Sequence, residues 1–169
     1  MDDWSSLIQG AFSGISDPQR WADLGCGKGT FTYALGNLLP YGSTLYAVDV
    51  QPQKLNNRAG GAAITFQQGD FVHEPLPLTD LDGIMLANSM HYVRDKEVLI
   101  HNLSNYCKPL HAFLVVEYDT LAANPWVPYP VDFRSLSALF LRAGYNQVEQ
   151  LGHRKSKYGG NLYAAWIKK

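Results

Sequence analysis

Cysteine is scarce in this chain: only Cys26 and Cys107 carry thiols among 169 residues, and they lie far apart. Two thiols cannot supply the three or four ligands of a Cys-rich zinc site or an iron–sulfur cluster. Isolated cysteines are typical of reduced thiols in the cytosol rather than of a disulfide framework. We therefore expect a cytoplasmic protein that holds no metal.

An excess of charge is also missing, because 14 Lys and Arg residues face 15 Asp and Glu residues, for a formal net charge of −1. Such a balance gives no general attraction to a polyanion. No apolar run approaches the ~20 residues that a membrane span requires. Asp2 and Asp3 stand where a secretory signal would carry basic residues. We therefore expect neither a nucleic acid nor a membrane as partner.

Apolar residues are plentiful, at 46% of the chain, which is enough for one core without disulfides. Short β-rich runs alternate with helical patterns, and the length fits a single domain, residues 1–169. This order predicts an α/β fold with a mostly parallel, seven-stranded sheet, an antiparallel last strand and helices on both faces. The predicted strands cover residues 20–24, 44–50, 64–70, 82–88, 111–118, 147–154 and 162–167, and the predicted helices cover 30–39, 95–108 (with Pro109 as the stop) and 132–143.

Three glycines, Gly25, Gly27 and Gly29, occupy five positions directly after the first predicted strand. Turns of this kind approach the phosphate of ATP or GTP, the pyrophosphate of a dinucleotide, or the methionine end of S-adenosylmethionine. A P-loop requires a glycine at position 22 and a hydroxyl at position 29, whereas this chain has Ala22 and Gly29. The dinucleotide fingerprint requires its third glycine at position 30, where the chain has Thr30. Neither phosphate-binding motif matches.

Asp23 lies two residues before the first glycine, where its carboxylate would face the ligand of the turn. Two like unit charges ~4 Å apart repel by ~4 kcal/mol at an effective dielectric constant of about 20. A pyrophosphate is therefore disfavoured, whereas a positively charged ligand is attracted. S-adenosylmethionine carries both an α-ammonium and a sulfonium, so it fits this site best.

The segment ADLGCGKGTF resembles the first motif of the class I S-adenosylmethionine-dependent methyltransferases, and the resemblance extends over nearly the whole chain. It implies a Rossmann-like fold and S-adenosylmethionine as the cofactor. Asp49 resembles the family's ribose-binding acid, and Gly69–Asp70 its adenine-contacting position, although a Gly-Asp pair is also a common turn at a strand end. The implied cofactor-binding residues are Asp23, Gly25, Cys26, Gly27, Gly29, Asp49, Val50, Gly69, Asp70, Phe71, Asn88 and Ser89. The chain most resembles the small-molecule branch typical of ubiquinone and menaquinone biosynthesis.

Beyond the cofactor, His91 follows the fourth strand, near the expected position of the methyl group. This histidine could take a proton from a hydroxyl or amine acceptor. The alternative is a packed or hydrogen-bonding histidine without a catalytic role. Glu117 and Tyr118 end the fifth strand, at the rim where open α/β sheets bind ligands, and are candidates for substrate contact.

The first motif begins early in the chain, whereas many small-molecule methyltransferases of this type carry helices before it that close over the site. We therefore expect a thin lid, built from a short N-terminal segment at residues 1–20 (mainly 4–12) and the loop 121–130, or supplied by another subunit. Trp126 and Tyr129 in that loop could form one wall of an apolar pocket or could cover the core.

These features predict an enzyme that transfers a methyl group from S-adenosylmethionine to a small-molecule acceptor, as a monomer or homodimer. A non-catalytic S-adenosylmethionine-binding partner or regulatory protein of the same fold is the alternative. A dehydrogenase is a third option, which Asp23 disfavours. A DNA amino-methyltransferase is disfavoured because the residues NSMH at 88–91 do not match its [DNS]-P-P-[YFW] motif.

Overall fold

Strands and short helices alternate along the chain, which a computed structural model describes over residues 4–169. Two 3₁₀ turns, Gln9–Phe12 and Met90–Tyr92, accompany the regular elements. In chain order the helices and strands are α1 (Trp4–Ile8), β1 (Arg20–Leu24), α2 (Thr30–Leu38), β2 (Ser43–Asp49), β3 (Arg58–Ala59), β4 (Ala62–Gln68), β5 (Leu81–Ala87), α3 (Lys96–Ser104), β6 (Cys107–Tyr118), α4 (Phe133–Arg142), β7 (Gln147–Lys155) and β8 (Asn161–Lys168).

The strands form one sheet in the order β3-β4-β2-β1-β5-β6-β8-β7. Strands β4, β2, β1, β5 and β6 pair in parallel, and β8 pairs antiparallel with both β6 and β7. The predicted α/β class, the mostly parallel sheet and the antiparallel last strand are confirmed. Because the order reverses at β1, the carboxyl ends of β1 and β5 open a crevice at one edge of the sheet.

One strand was not predicted from the sequence. The two residues of β3 pair antiparallel with the start of β4 across Gly60 and Gly61. A two-residue strand carries no period-2 pattern, so sequence periodicity cannot detect it. The sheet therefore has eight strands rather than seven.

The predicted boundary between α3 and β6 is wrong. The helix begins after Asp95, whose side chain accepts a hydrogen bond from the Val98 N–H, but it ends at Ser104 rather than at Lys108. Pro109 lies inside β6, in a bulge between the residues that pair with Leu81 and with Gly83. Proline has no N–H to donate, and it is tolerated there because a bulge interrupts the hydrogen-bond ladder at its position.

Apolar side chains alternate between two core layers, one on each face of the sheet. In β1, Ala22 and Leu24 pack on the face covered by α3 and α4, whereas Trp21 packs on the face covered by α1 and α2. The Trp21 ring stacks on Trp166 at 5.6 Å between centroids. Gly83 makes room for it, since a Cβ at position 83 would lie 2.4 Å from the Trp21 ring.

Two of the crossovers between parallel strands contain no helix in the described part of the chain. Residues 50–61 connect β2 to β4 with only the short strand β3, and residues 69–80 connect β4 to β5 as loops. The sequence pattern also predicted no helix in these two stretches, so strands and helices alternate over only part of the chain. Within residues 4–169, no helix combines the length and the apolar character needed to cross a membrane.

Candidate active site

The glycine turn after β1 is pulled back against the end of β2. The N–H groups of Gly25 and Cys26 both donate to the Val48 carbonyl, at 2.8 and 3.0 Å. The Gly27 N–H donates to Asp49 Oδ2 at 2.8 Å, and Asp49 Oδ1 accepts from the Gln51 N–H at 2.9 Å. Asp49 thereby joins the turn to the second strand and keeps its carboxylate at the crevice.

Glycine is required at position 25 for two reasons. Its φ of +82° lies in the left-handed region, which disfavours residues with a Cβ. A Cβ there would also lie 2.6 Å from the Ser89 Cβ, so the turn and the end of β5 touch at this point. The backbone of the turn therefore forms one wall of the crevice without any side chain.

A first cavity of about 680 Å³ opens between the ends of β1, β2, β4 and β5. Many of the predicted cofactor residues line it, namely Gly25, Asp49, Val50, Asp70, Phe71, Asn88 and Ser89. These residues come from four separate stretches of the chain. The structure therefore brings together the parts that the resemblance assigned to a single ligand.

A second cavity of about 780 Å³ adjoins the first and shares Asn88 and Tyr92 with it. It is bounded by the end of β6, the loop 121–130 and the tip of the β7–β8 hairpin. Asn88 follows β5 with a φ of +55°, and its buried Oδ1 has no hydrogen-bond partner among the described residues. The two cavities therefore meet at Asn88 and Tyr92, and each is large enough to hold a small molecule.

His91 faces the second cavity and is only 3% exposed. Its Nδ1 donates to Glu117 Oε2 at 2.7 Å, and its backbone N–H donates to Glu117 Oε1 at 3.1 Å. No hydrogen bond to Nε2 is found among the described residues. The histidine is thus hydrogen-bonded, as its alternative interpretation expected, and its second ring nitrogen is still available to a ligand.

A family model described as a methyltransferase domain matches residues 22–110, which is more than half of the chain. The chain belongs to the methyltransferase domain family. The matched residues contain the glycine turn, Asp49, Asp70, Asn88 and His91, so they include most of the site described above.

Several known proteins are similar to this methyltransferase domain. A probable chloroplastic tocopherol O-methyltransferase from Oryza sativa subsp. japonica is 25% identical over 120 residues, which cover 64% of this chain and 33% of the relative. The chain thus spans about a third of the length of that curated relative. The S-adenosylmethionine-dependent class I methyltransferase assignment expected from the sequence is confirmed at the level of family and fold. The narrower resemblance to the ubiquinone and menaquinone branch stays a prediction.

Two solved structures illustrate the likeness of fold. A Burkholderia thailandensis 1,6-didemethyltoxoflavin N1-methyltransferase, solved with 1,6-didemethyltoxoflavin and S-adenosylhomocysteine bound, superposes with a TM-score of 0.71 at 16% identity, covering 99% of this chain and 81% of that one. A methyltransferase from Aquifex aeolicus superposes with a TM-score of 0.68 at 16% identity, covering 98% and 92%. S-adenosylmethionine is therefore the cofactor that this methyltransferase fold implies.

The described residues fit that cofactor. Asp23 is buried, and its Oδ2 accepts from the Thr32 hydroxyl at 2.6 Å. Its Oδ1 has no hydrogen-bond partner among residues 4–169, and burial raises the pKa of this carboxyl to about 7. An unpaired buried carboxylate oxygen is costly, so a cationic donor from a ligand would relieve it. Asp23 does not itself line the first cavity, although the sequence predicted that its carboxylate would face the ligand of the turn.

Four other predicted residues, three in the glycine turn and Gly69 after β4, support the site without lining either cavity. Cys26 is buried, and this burial raises the pKa of its thiol to about 12, so it packs as a small apolar side chain. Gly29, with a φ of +87°, precedes the first residue of α2. Gly69 donates its N–H to the Asp49 carbonyl at 3.0 Å. Gly27 contributes its N–H to Asp49, as described above.

Asp70 lines the first cavity but also organises its own turn. Its Oδ1 accepts from the N–H groups of Val72 and His73, at 2.9 and 3.2 Å. Its Oδ2 lies 2.8 Å from the His73 Nδ1, and this hydrogen bond lowers the pKa of the Asp70 carboxyl. Both interpretations of the Gly-Asp pair therefore remain open: a strand-end turn is present, and an adenine contact at Asp70 stays a prediction.

The structure revises one expectation about the acceptor side, the substrate contact of Glu117. Glu117 does not line either cavity, because its side chain is buried beneath His91 and both of its oxygens serve that residue. Tyr118, the next residue, does line the second cavity. Trp126 lines the second cavity and Tyr129 lines the first, so the loop 121–130 contributes to both.

The expected N-terminal lid is described from Trp4 onward, and residues 1–3 lie outside the described part. Leu7, Ile8 and Phe12 are buried in the core layer beside α2, and Trp4 packs on Phe31 at 5.0 Å between ring centroids. None of the described residues before Gly25 lines either cavity. A lid role for residues 1–20 stays a prediction.

Sequence reasoning missed the contribution of the β7–β8 hairpin. Tyr158, Gly159, Gly160 and Asn161 line the second cavity, although the sequence places them only between the last two predicted strands. The aromatic residue beside two glycines was the available signal. Its position over the end of β6 depends on strand order, which the sequence does not state.

Proposed function

We propose that this chain transfers a methyl group from S-adenosylmethionine, held in the first cavity, to a small-molecule acceptor held in the second. The observation that carries the proposal is the junction of the two cavities at Asn88 and Tyr92. A ligand in each cavity would approach the other across this junction. Family membership and the fit of the glycine turn support the same conclusion.

The residues that would hold the cofactor divide by chemistry. The Asp49 carboxylate would accept hydrogen bonds from the ribose hydroxyls, since each carboxylate oxygen can accept more than one. Phe71 and Asp70 would contact the adenine, and the backbone at Gly25 would admit the methionine portion. The unpaired oxygen of Asp23 would attract the α-ammonium. When bound, S-adenosylmethionine supplies an activated methyl group, so the chain mainly has to orient the acceptor and exclude water.

His91 would act as the general base of this reaction. Its Nδ1–H is held by Glu117, which leaves the lone pair of Nε2 on the side of the second cavity. An acceptor hydroxyl or amine beside Nε2 could pass its proton there. Glu117 would be a positioning residue, because it fixes the tautomer and orientation of the imidazole and stabilises the imidazolium that forms.

Tritium transfer from labelled S-adenosylmethionine to a panel of phenols, amines and carboxylic acids tests the proposal. Transfer to at least one acceptor is expected, together with binding of S-adenosylhomocysteine in a calorimeter. Binding without transfer to any member would instead favour a non-catalytic, cofactor-binding protein. The absence of both would contradict the assignment of the first cavity.

The role of His91 has its own measurement. We expect His91→Asn to lower kcat by about 10²- to 10⁴-fold, since a positioned base is worth about that much. Glu117→Gln should lower kcat about tenfold or more and move the pH profile of kcat/KM to lower pH, because the imidazolium loses its carboxylate partner. The affinity for S-adenosylhomocysteine should stay unchanged in both variants. Wild-type turnover in His91→Asn would remove the histidine from catalysis.

A further inference from the structure

Several aromatic side chains line the second cavity. Tyr92, Tyr118, Trp126 and Tyr158 line it together with the imidazole of His91. Trp126 is 77% exposed, Tyr158 90% and Tyr92 61%, which is unusual for side chains of this size. Large apolar groups that converge on an open cavity are typical of a binding surface that a ligand covers.

Short-range hydrogen bonds hold parts of this aromatic wall in place. Asn124 Oδ1 accepts from the N–H groups of Trp126 and Val127, at 2.9 and 3.0 Å, and so fixes the loop that carries the indole. The Tyr158 N–H donates to Ser156 Oγ at 3.1 Å in the hairpin tip. The His91 ring packs against Tyr92, with 4.4 Å between ring centroids. These bonds fix the backbone segments that carry Trp126 and Tyr158, and aromatic rings at such positions favour flat ligands that can stack on them.

The charge of the cavity excludes one class of ligand. Among the described residues that line it, none is a lysine or an arginine, and the acidic residue among them is Asp119. A carboxylate or phosphate on the ligand would therefore gain no cationic partner and would meet a like charge. It would also lose its hydration without compensation.

Polar contacts in the cavity are suited to a donor. Asn88 Oδ1 is buried without a partner among the described residues, and it lies where the two cavities meet. The neighbouring His91 Nε2 offers a second acceptor. Each of these two acceptor atoms could accept a hydrogen bond from a hydroxyl or amine of the ligand.

We infer that the acceptor is a planar aromatic compound that bears a hydroxyl or amine and no negatively charged substituent. This inference rests on the proposed function and adds the chemical class of the substrate. The rings of Trp126, Tyr158 and Tyr118 enclose the flat face of the ligand. Its hydroxyl or amine points toward Asn88 and His91.

Three bicyclic probes of similar size and substitution separate the contributions of flatness and charge. They are 6-hydroxy-2-naphthamide, the anionic 6-hydroxy-2-naphthoate, and the saturated decalin analogue of the amide. Each is titrated calorimetrically at pH 7.5 into the full chain saturated with S-adenosylhomocysteine. We expect the naphthamide to bind at least tenfold more tightly than either of the others.

Variants of the exposed wall locate the binding. Trp126→Ala and Tyr158→Ala should each weaken naphthamide binding at least fivefold, whereas Tyr41→Ala should leave it unchanged. Tyr41 is a suitable control because it is 83% exposed and lines neither cavity. All three side chains are largely exposed, so their truncation leaves the core intact.

The outcomes distinguish this inference from the proposed function. If S-adenosylhomocysteine gives no heat, the proposed function fails first. If it binds but the naphthoate or the decalin analogue binds as tightly as the naphthamide, the inferred substrate class is wrong. The inference is equally overturned if the naphthamide gives no measurable heat, or if Tyr41→Ala weakens its binding as much as Trp126→Ala does.

Discussion

Asp23 shows how one residue can be predicted for its charge but not for its surroundings. The sequence places an acid before the glycine turn, and a negatively polarised site follows from that alone. The Thr32 hydroxyl that holds one oxygen, and the burial of the other, depend on how α2 packs against β1. These contacts decide the energetics of the residue, and they are not visible in the sequence.

Cofactor affinity should depend on pH through Asp23. Burial raises the pKa of this carboxyl to about 7, Thr32 opposes the shift and the charge of Asp49 adds to it. The ammonium of the cofactor prefers the ionised form, so binding below pH 7 must first remove a proton. We expect the affinity for S-adenosylhomocysteine to be constant above pH 8 and to fall as pH decreases through 7, approaching tenfold per pH unit. Calorimetry between pH 5.5 and 8.5 measures it.

Asp23→Asn should weaken the binding at pH 8 by about 1–3 kcal/mol, through loss of a buried negative charge that attracts the ammonium, and should flatten its pH dependence. Asp17→Asn is the matched control, because Asp17 is exposed and lines neither cavity. An Asp23→Asn variant that retained the wild-type pH dependence would show that another group is responsible.

The same substitution should stabilise the protein without ligand. The pKa of the Asp23 carboxyl is about 7 in the folded chain, well above its ordinary value. At pH 8 the carboxyl is therefore ionised in both states, but its charge is less stable in the buried site than in water, and this difference opposes folding. Asp23→Asn should therefore increase the free energy of unfolding at pH 8, on the order of 1–3 kcal/mol. This gain should shrink as pH falls from 7 toward 4, because the folded chain then binds a proton at Asp23 and loses the buried charge, whereas the unfolded chain keeps this carboxyl ionised down to about pH 4. Urea unfolding at pH 8 and pH 5 compares the two values, and an equal gain at both would contradict the explanation.

At the scale of elements, the sequence predicted what periodicity and caps report. The α4 helix follows its Asp132 cap and ends before Gly144, as expected, and every strand except β3 lies within a few residues of its predicted position. The end of α3 was wrong because Pro109 suggested a helix stop where it lies in a strand bulge. The loops that build both cavities carry no periodic pattern, so their packing could not be predicted.

Lys96 joins two of those loops. Its Nζ donates to the Val93 carbonyl at 2.7 Å and to the Tyr129 carbonyl at 2.8 Å. The Tyr129 N–H in turn donates to the His91 carbonyl at 2.9 Å. The ammonium at the start of α3 therefore holds the turn after β5 against the loop 121–130, between the two cavities.

Lys96→Met should destabilise the fold by about 1–3 kcal/mol, because two carbonyls lose a charged donor in a half-buried position. The same substitution should also raise the KM for the acceptor by a larger factor than it changes the Kd for S-adenosylhomocysteine. Lys108→Met is the control: Lys108 pairs with Asp82 at 2.7 Å on the surface, where ion pairs contribute less than about 1 kcal/mol. Equal losses of stability in the two variants would mean that the bridge between the loops contributes nothing beyond a surface ion pair.

At the scale of the whole molecule, the site exists because strand order brings distant segments to one edge of the sheet. The parallel pairing of β2 and β5 on either side of β1 places residues 25, 49 and 88 together. The sequence predicted which residues these are, since the resemblance fixed their places at strand ends. It did not predict the second cavity, whose walls come from the end of β6, a loop and a hairpin tip that have no fixed spacing.

The contact between Gly25 and Ser89 tests whether this convergence is tight. Gly25→Ala and Gly14→Ala both place a Cβ on a left-handed backbone, with φ of +82° and +81°, and each should cost about 1–2 kcal/mol for that reason. Only position 25 has a close neighbour, the Ser89 Cβ at 2.6 Å, whereas the space around position 14 is open. We therefore expect Gly25→Ala to lose about 1–3 kcal/mol more than Gly14→Ala, from overpacking.

The thermal shift caused by S-adenosylhomocysteine measures the same contact at the ligand. At a hundredfold excess over Kd, a ligand that binds the folded state alone stabilises it by about 2.7 kcal/mol. Gly14→Ala should keep this shift and Gly25→Ala should lose it, because the displaced turn closes the space into which the ligand's methionine portion fits. Gly25→Ala could instead be as stable as Gly14→Ala and keep its full thermal shift. The turn would then have space for a Cβ, and the cofactor would have to bind elsewhere on the sheet edge.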